Sequence, residues 1–175
     1  MRRLVTTSFA LALLAAFASG QPTGGPLAGE QLKLFQSNRE LLENLIERSV
    51  DLANADTPVA KIKACHESTK DLGRAIKDAA DRDDADRVAE LSEHLTAVIH
   101  HGLVPTIDRA RAIIPIGTPA ERELYDLTIE AGLDARRFEL SIPALGKVGA
   151  SNRVREARAK LQIAGESLNE RKGAR

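Results

Sequence analysis

The spacing of apolar residues constrains the fold of this chain more than any other feature. Between residues 58 and 79 the spacing alternates between three and four without a slip, as in the seam of a coiled-coil-like helix pair. Similar spacing recurs through most of the chain, and no segment alternates with a period of two. The chain is therefore predicted to be all-α. The seam residues are Ile62, Cys65, Thr69, Leu72, Ile76 and Ala79.

Capping residues divide this pattern into helices. Thr57 before Pro58, and Thr118 before Pro119 with Glu121 three residues after the threonine, are typical helix starts. Acidic residues at 81–84 precede a third helix, and Pro105 shortly after Gly102 predicts a kink or break within it. The residues at 140–150 are predicted to form a loop. The predicted helices begin near residues 30, 58, 84, 118 and 151, and the first ends near 53.

Matched helix lengths and short turns favour an antiparallel up-down bundle of four to five helices. The bundle is expected to form one domain over residues 30–172, with a frayed C-terminus at 173–175. The first helix is expected to bury Leu34, Leu41, Leu45 and Leu52, with Phe35, Leu42 and Ile46 widening its apolar face.

The N-terminus has the pattern of a cleaved secretory signal peptide over residues 1–20. Arg2 and Arg3 precede an uncharged, Leu- and Ala-rich stretch that ends in the small residues 18–20. Cleavage after Gly20 is favoured and cleavage after Ala18 also fits, while an uncleaved N-terminal anchor is the alternative. Residues 21–29, rich in Gly and Pro, are predicted to be a flexible leader. No later stretch is apolar enough to span a membrane.

Composition excludes several kinds of function for the mature chain. Removing Arg2 and Arg3 from the 25 basic residues leaves 23 against 25 acidic ones, a net charge of −2. Nucleic-acid binding needs a basic excess, so it is not expected. The chain has no Trp and a single Tyr, so it lacks stacking surfaces for bases. Its one Cys cannot form an internal disulfide.

The histidines suggest one candidate site. If the second and third helices form an antiparallel hairpin about residue 82, then Cys65, His66, His94 and His101 lie at a similar height. Imidazole and thiolate are suitable ligands for Zn or Cu, so this cluster is a candidate metal site. The other interpretation is a buried cysteine beside histidines scattered over the surface, since Cys is among the most often buried residues.

No triad order, phosphate loop or zinc-protease motif is present, so the protein is predicted not to be an enzyme. The leading hypothesis is an exported helical protein of the periplasm or secreted space that binds a protein partner or self-associates. The alternative is a periplasmic metal-binding or metal-responsive protein that uses the histidine cluster.

Overall fold

The computed structural model describes residues 29–171, which are helical over most of their length and contain no strand. The predicted all-α class is therefore confirmed for this part of the chain. The predicted signal peptide, the leader up to residue 28 and the tail from residue 172 lie outside the described residues. The helices are α1 (Gly29–Asn54), α2 (Pro58–Asp81), α3 (Ala85–Ala97), a π-helical segment (Val98–Leu103), α4 (Val104–Ile113), α5 (Pro119–Ser141), α6 (Gly146–Ala150) and α7 (Asn152–Glu170).

The chain divides into two units, Met1–Phe35 and Gln36–Arg175. The packing described below is that of the second unit, in which α1 is followed from Gln36 onward. Within the described residues, no helix is both long enough and apolar enough to cross a membrane.

The predicted helix starts are confirmed by their caps. The Thr57 hydroxyl accepts a hydrogen bond from the amide of Ala60, and Thr118 accepts one from Glu121. The Glu121 carboxylate in turn accepts from the amide of Gly117, which completes a capping box displaced by one residue. Ser151 caps α7 in the same way. These hydrogen bonds satisfy amides at the helix start that have no partner within the helix. Because donor and acceptor are only three residues apart, these helix starts could be predicted from sequence.

Of the kink or break predicted near Gly102–Pro105, the break does not occur, but the helix does depart from regular α geometry there. The chain remains helical from Ala85 to Ile113 and passes through the π-helical segment just before Pro105. Proline has no amide hydrogen and its ring clashes with the carbonyl four residues earlier. The wider turn accommodates this, with the amide of Val104 bonded to the carbonyl of Ile99, five residues back.

The predicted loop at 140–150 is also partly wrong, because it contains the short helix α6. Val148 in α6 is fully buried, so packing holds this turn in place. Gly149 allows the close approach that this requires, since a Cβ atom at that position would overlap the backbone of Ala144.

Four long helices surround the core in a closed ring. Helix α2 packs against α3 and α5, and α7 packs against the same two helices. The seam predicted for α2 is buried along its whole length, and so is the seam of α7. Helices α2 and α5 approach closely at Gly73, where an added Cβ atom would overlap the ring of Phe138. The core is therefore built from aliphatic side chains, as the scarcity of aromatic residues requires.

Helix α1 has the predicted bounds but is only partly covered. Leu41 is buried and Leu45 packs against the core. Leu52, predicted to be on the buried face, is exposed, and so are Phe35 and Ile46. The side chain of Leu34 lies outside the described residues. The prediction of a wide buried face is thus correct for the middle of the helix only.

Candidate functional site

The four residues of the predicted metal cluster lie in different environments. Cys65 and His66 are buried in α2, and burial raises the pKa of the Cys65 thiol. His94 is partly exposed, with its Nε2 atom 3.9 Å from a carboxylate oxygen of Glu90. His101 is exposed in the π-helical segment. Cys65 faces Gly102, since a Cβ atom built there would lie 3.6 Å from the sulfur.

A different group of potential ligands does converge. Among the described residues, ligand atoms of His66, Glu130 and Asp134 lie within 4.8 Å of one another, and no second such group occurs. Only His66 is shared with the predicted cluster. Metal binding by Cys65, His66, His94 and His101 stays a prediction, and it would require these side chains to move.

His66 and Asp134 form a buried pair between α2 and α5. The Nε2 atom of His66 lies 3.1 Å from Oδ2 of Asp134, and both side chains are almost entirely buried. The other carboxylate oxygen of Asp134 accepts a hydrogen bond of 3.1 Å from Arg137, one turn further along α5. The carboxylate is therefore held on both sides.

Burial lowers the pKa of His66, and the positive charge of Lys70 lowers it further. The carboxylates of Glu130 and Asp134 act in the opposite direction but do not reverse the shift. His66 is therefore a neutral imidazole near pH 7. A neutral imidazole that donates Nε2–H to Asp134 keeps a lone pair on Nδ1.

Lys70 neutralises the carboxylate at the mouth of this group. Its ammonium group donates hydrogen bonds of 2.9 Å to Glu130 and 3.1 Å to Glu67. The hydrogen bond from Lys70 lowers the pKa of Glu130, which outweighs the opposing effect of burial. Glu130 itself is exposed, whereas the other two members of the group are buried. The group is thus open at one edge.

Next to Glu130, the exposed member of this group, lies a surface groove with a volume of about 320 Å³. Its walls come from α2 and α5, and Glu130 lies at one end. A second ion pair, Lys63 to Glu123, bridges the two helices along this groove. Because 63 and 70, and likewise 123 and 130, are seven residues apart, the two bridges lie on the same faces of their helices. The groove is lined by Lys63, Pro119, Arg122, Glu123, Asp126, Leu127 and Glu130.

A second buried charge joins α1 to α2. Asp71 is buried, and its Oδ2 atom lies 3.5 Å from Nε of Arg48. Neither atom makes a hydrogen bond, so this pair is held by charge alone. The other oxygen of Asp71 pairs with Arg74. The ion pair between Arg48 and Asp71 therefore acts beside the contacts of Leu41 and Leu45 in holding α1 against the ring.

Sequence reasoning missed Lys70, Glu130 and Asp134. The only local signal is the spacing of Glu130 and Asp134, which places two carboxylates on one face of α5. Such spacing is common on solvated helix faces. What distinguishes this pair is its contact with His66, 68 residues from Asp134 in sequence.

No protein-family model, curated protein or solved structure matches this chain. What the described residues offer chemically is one imidazole nitrogen and two carboxylates, two of the three groups buried, with an ammonium group as their present counter-charge.

Proposed function

We propose that the protein is an exported, non-enzymatic helical protein that binds a protein partner through the outer face of α1. The observation that carries this proposal is the exposure of two large aliphatic side chains on one face of that helix. Ile46 is 63% exposed and Val50 is 52% exposed. They are four residues apart and so lie on the same face.

The apolar face of helix α1 is wider than the part of it that packs against the ring. Leu41 and Leu45 face the ring, and Ile46 and Val50 lie roughly 140° further round the helix. Leu42, between the two rows, is half-buried. Rows of exposed apolar residues mark interaction sites more often than isolated ones do. An arc with anchors four residues apart suits a helix that docks into the groove of a partner.

The proposed export rests on the pattern of residues 1–20, a basic start, an apolar stretch and a small-residue end. The proposed location is the periplasm or the secreted space, with Gln21 or Ser19 as the mature N-terminus.

The proposed arrangement of the ring is an up-down bundle in which helices that follow one another along the chain run antiparallel. Its support is the short connections, such as Arg82–Asp84 between α2 and α3. The neighbours α2 and α5 then lie parallel, because the bridges Lys63–Glu123 and Lys70–Glu130 advance in the same direction along both helices.

Exchange of the two exposed residues for serine tests partner binding. In Ile46→Ser/Val50→Ser, we expect the unfolding midpoint to be nearly unchanged, because exposed substitutions change stability by about 0.5 kcal/mol or less. We expect the proteins that cross-link to the wild-type chain in the native envelope fraction to be lost. Mass spectrometry of the cross-linked products is the measurement, and it also identifies the mature N-terminus.

The matched control is Leu133→Ser/Ile163→Ser, which removes two comparably exposed side chains from α5 and α7. This variant should keep every cross-link of the wild type. The proposal fails if both variants cross-link to the same proteins, or if the wild-type chain cross-links to none.

A further inference from the structure

The group formed by His66, Glu130 and Asp134 contains one carboxylate, that of Glu130, more than a structural His–Asp pair needs. The buried His66–Asp134 pair is already held by its own hydrogen bond, and Arg137 holds the second oxygen of Asp134. Glu130 adds a second carboxylate one turn away on the same helix, and its charge is met by Lys70 from outside the pair. The result is three ligand atoms within 4.8 Å and a positive charge at the opening.

We propose that His66, Glu130 and Asp134 bind a divalent transition-metal ion, Zn²⁺ in the first place, which displaces the ammonium group of Lys70 from Glu130. In a tetrahedral zinc site with bonds near 2.1 Å, ligand atoms lie roughly 3.3–3.5 Å from one another. Nε2 of His66 and Oδ2 of Asp134, 3.1 Å apart, are already close to that separation. Only Glu130, which is exposed, has to turn inward.

The protons balance without release from the site. The neutral imidazole carries one proton, which the present hydrogen bond places on Nε2. When the ion takes the place of that hydrogen bond, the proton moves to Nδ1 and Nε2 becomes the ligand. Glu130, whose pKa is lowered by the hydrogen bond from Lys70, binds as a carboxylate, and Lys70 leaves it as a charged ammonium group.

The ligand set favours zinc over calcium or magnesium. Calcium takes six to eight oxygen ligands and magnesium keeps an octahedral shell of oxygens, whereas imidazole suits Zn, Cu and Ni. Two buried ligands and an exposed third leave one position facing the groove. A water molecule in that position would complete a four-coordinate site.

The charge of Lys70 provides the decisive test. While it pairs with Glu130, it competes with any cation for that carboxylate and repels it from His66. In Lys70→Met, we expect Zn²⁺ to bind about three- to tenfold more tightly. Titration of the mature protein with ZnCl₂ against a chromophoric chelator measures the affinity.

The matched control is Lys63→Met. It removes a lysine–glutamate bridge between the same two helices, one heptad away, and leaves the three ligands untouched. Its zinc affinity should equal that of the wild type. A gain in both lysine variants would mean that net charge alone governs binding, and the proposed site would be wrong.

Loss of ligands completes the test. In His66→Gln, we expect affinity to fall by about a hundredfold or more, since a direct ligand matters at least as much as the groups that support it. Glu130→Gln should also weaken zinc binding, because it removes one of the three ligands. Since Glu130 is exposed, this variant is expected to fold, and it tests the site even if His66→Gln does not fold. Ring-nitrogen NMR should show that zinc shifts the His66 signals and leaves those of His94 and His101 in place.

The variant His94→Gln/His101→Gln separates this site from the cluster predicted from sequence. Unchanged affinity is expected. Loss of affinity in this variant, or no zinc binding by the wild-type chain, would overturn the proposal. The titration uses the metal alone, so its outcome is independent of partner binding by α1.

Discussion

Helices α1 and α7 have similar apolar spacing but differ in how far they are covered. In α7 each seam residue from Val154 to Leu168 is essentially inaccessible to solvent, because α3 and α5 flank the helix on two sides. From Gln36 onward, α1 buries Leu41 and part of Leu45, and it leaves Ile46 and Val50 in solvent. Amphipathic spacing thus defines an apolar face, but neighbouring helices determine how much of it is buried.

The difference also concerns how each helix is attached. Helix α7 is joined to α5 by Arg158, which donates a hydrogen bond of 2.7 Å to the buried carboxylate of Glu139. The Arg48–Asp71 contact of α1 is longer, at 3.5 Å, and contains no hydrogen bond. A helix with few buried contacts is expected to open at a lower free energy than one in the core.

The largest expected effect comes from the core of α7. In Leu161→Ala, the free energy of unfolding should fall by about 2–5 kcal/mol, since the fully buried side chain leaves a cavity. Leu41→Ala in α1 should cost less than half as much, because the edge of the interface can relax and admit water. Urea denaturation followed by circular dichroism measures both. Equal losses would show that α1 belongs to the cooperative core.

A smaller effect is expected at the charged attachment of α1. In Arg48→Met, the buried carboxylate of Asp71 loses one counter-charge, and stability should fall by about 1 kcal/mol, since Arg74 and partial exposure of Arg48 limit the loss. Amide hydrogen exchange should accelerate in α1 and remain slow in α7.

The control for this variant lies on the same helix. Arg39 pairs with Glu43 in full solvent, so Arg39→Met should leave the unfolding midpoint and the exchange of α1 unchanged. Faster exchange throughout α7 in Arg48→Met would contradict the separate behaviour of the two helices.

The smallest expected effect is a pH dependence of the free energy of unfolding, which arises from His66 in the ring and not from α1. The pKa of His66 is lowered in the folded state by burial, then by Lys70, against the opposing effects of Glu130 and Asp134. Below the ordinary pKa of about 6.5, the unfolded chain binds a proton that the folded chain does not, so stability falls as the pH falls. Above that pH the two states bind equally and the contribution is constant.

The measurement is the urea midpoint at several pH values for the wild type and for His66→Gln. The wild type should lose more stability than the variant between pH 7 and the lowered pKa. His94→Gln keeps His66 and should therefore follow the wild type. Parallel curves for the wild type and His66→Gln would rule out the effect.

Much of the local structure could be predicted because it depends on neighbours in sequence. Three helix starts could be predicted from sequence because a side-chain hydroxyl caps the amide three positions later, as at Thr57, Thr118 and Ser151. Of the kink or break expected near Gly102–Pro105, the break does not occur, because a helix can accommodate a proline by widening one turn. Ile99 and Leu103, both within the widened segment, are buried in the core, and local spacing does not reveal that packing.

The candidate site was less predictable. Placing Cys65, His66, His94 and His101 at one height used only the geometry of a helical hairpin, which says nothing about a third helix. Helix α5, which packs beside α2 in the ring, supplies Asp134 and Glu130 to His66.

The sequence by itself determined that the described chain is helical, where most helices begin, and which face of each helix is apolar, because these properties depend on hydrogen bonds and spacings within a few residues. Only the tertiary structure decided which apolar faces are covered and which carboxylates meet His66. Those outcomes depend on contacts between residues tens of positions apart, and burial in such contacts sets both the free energy of an apolar face and the charge of a histidine.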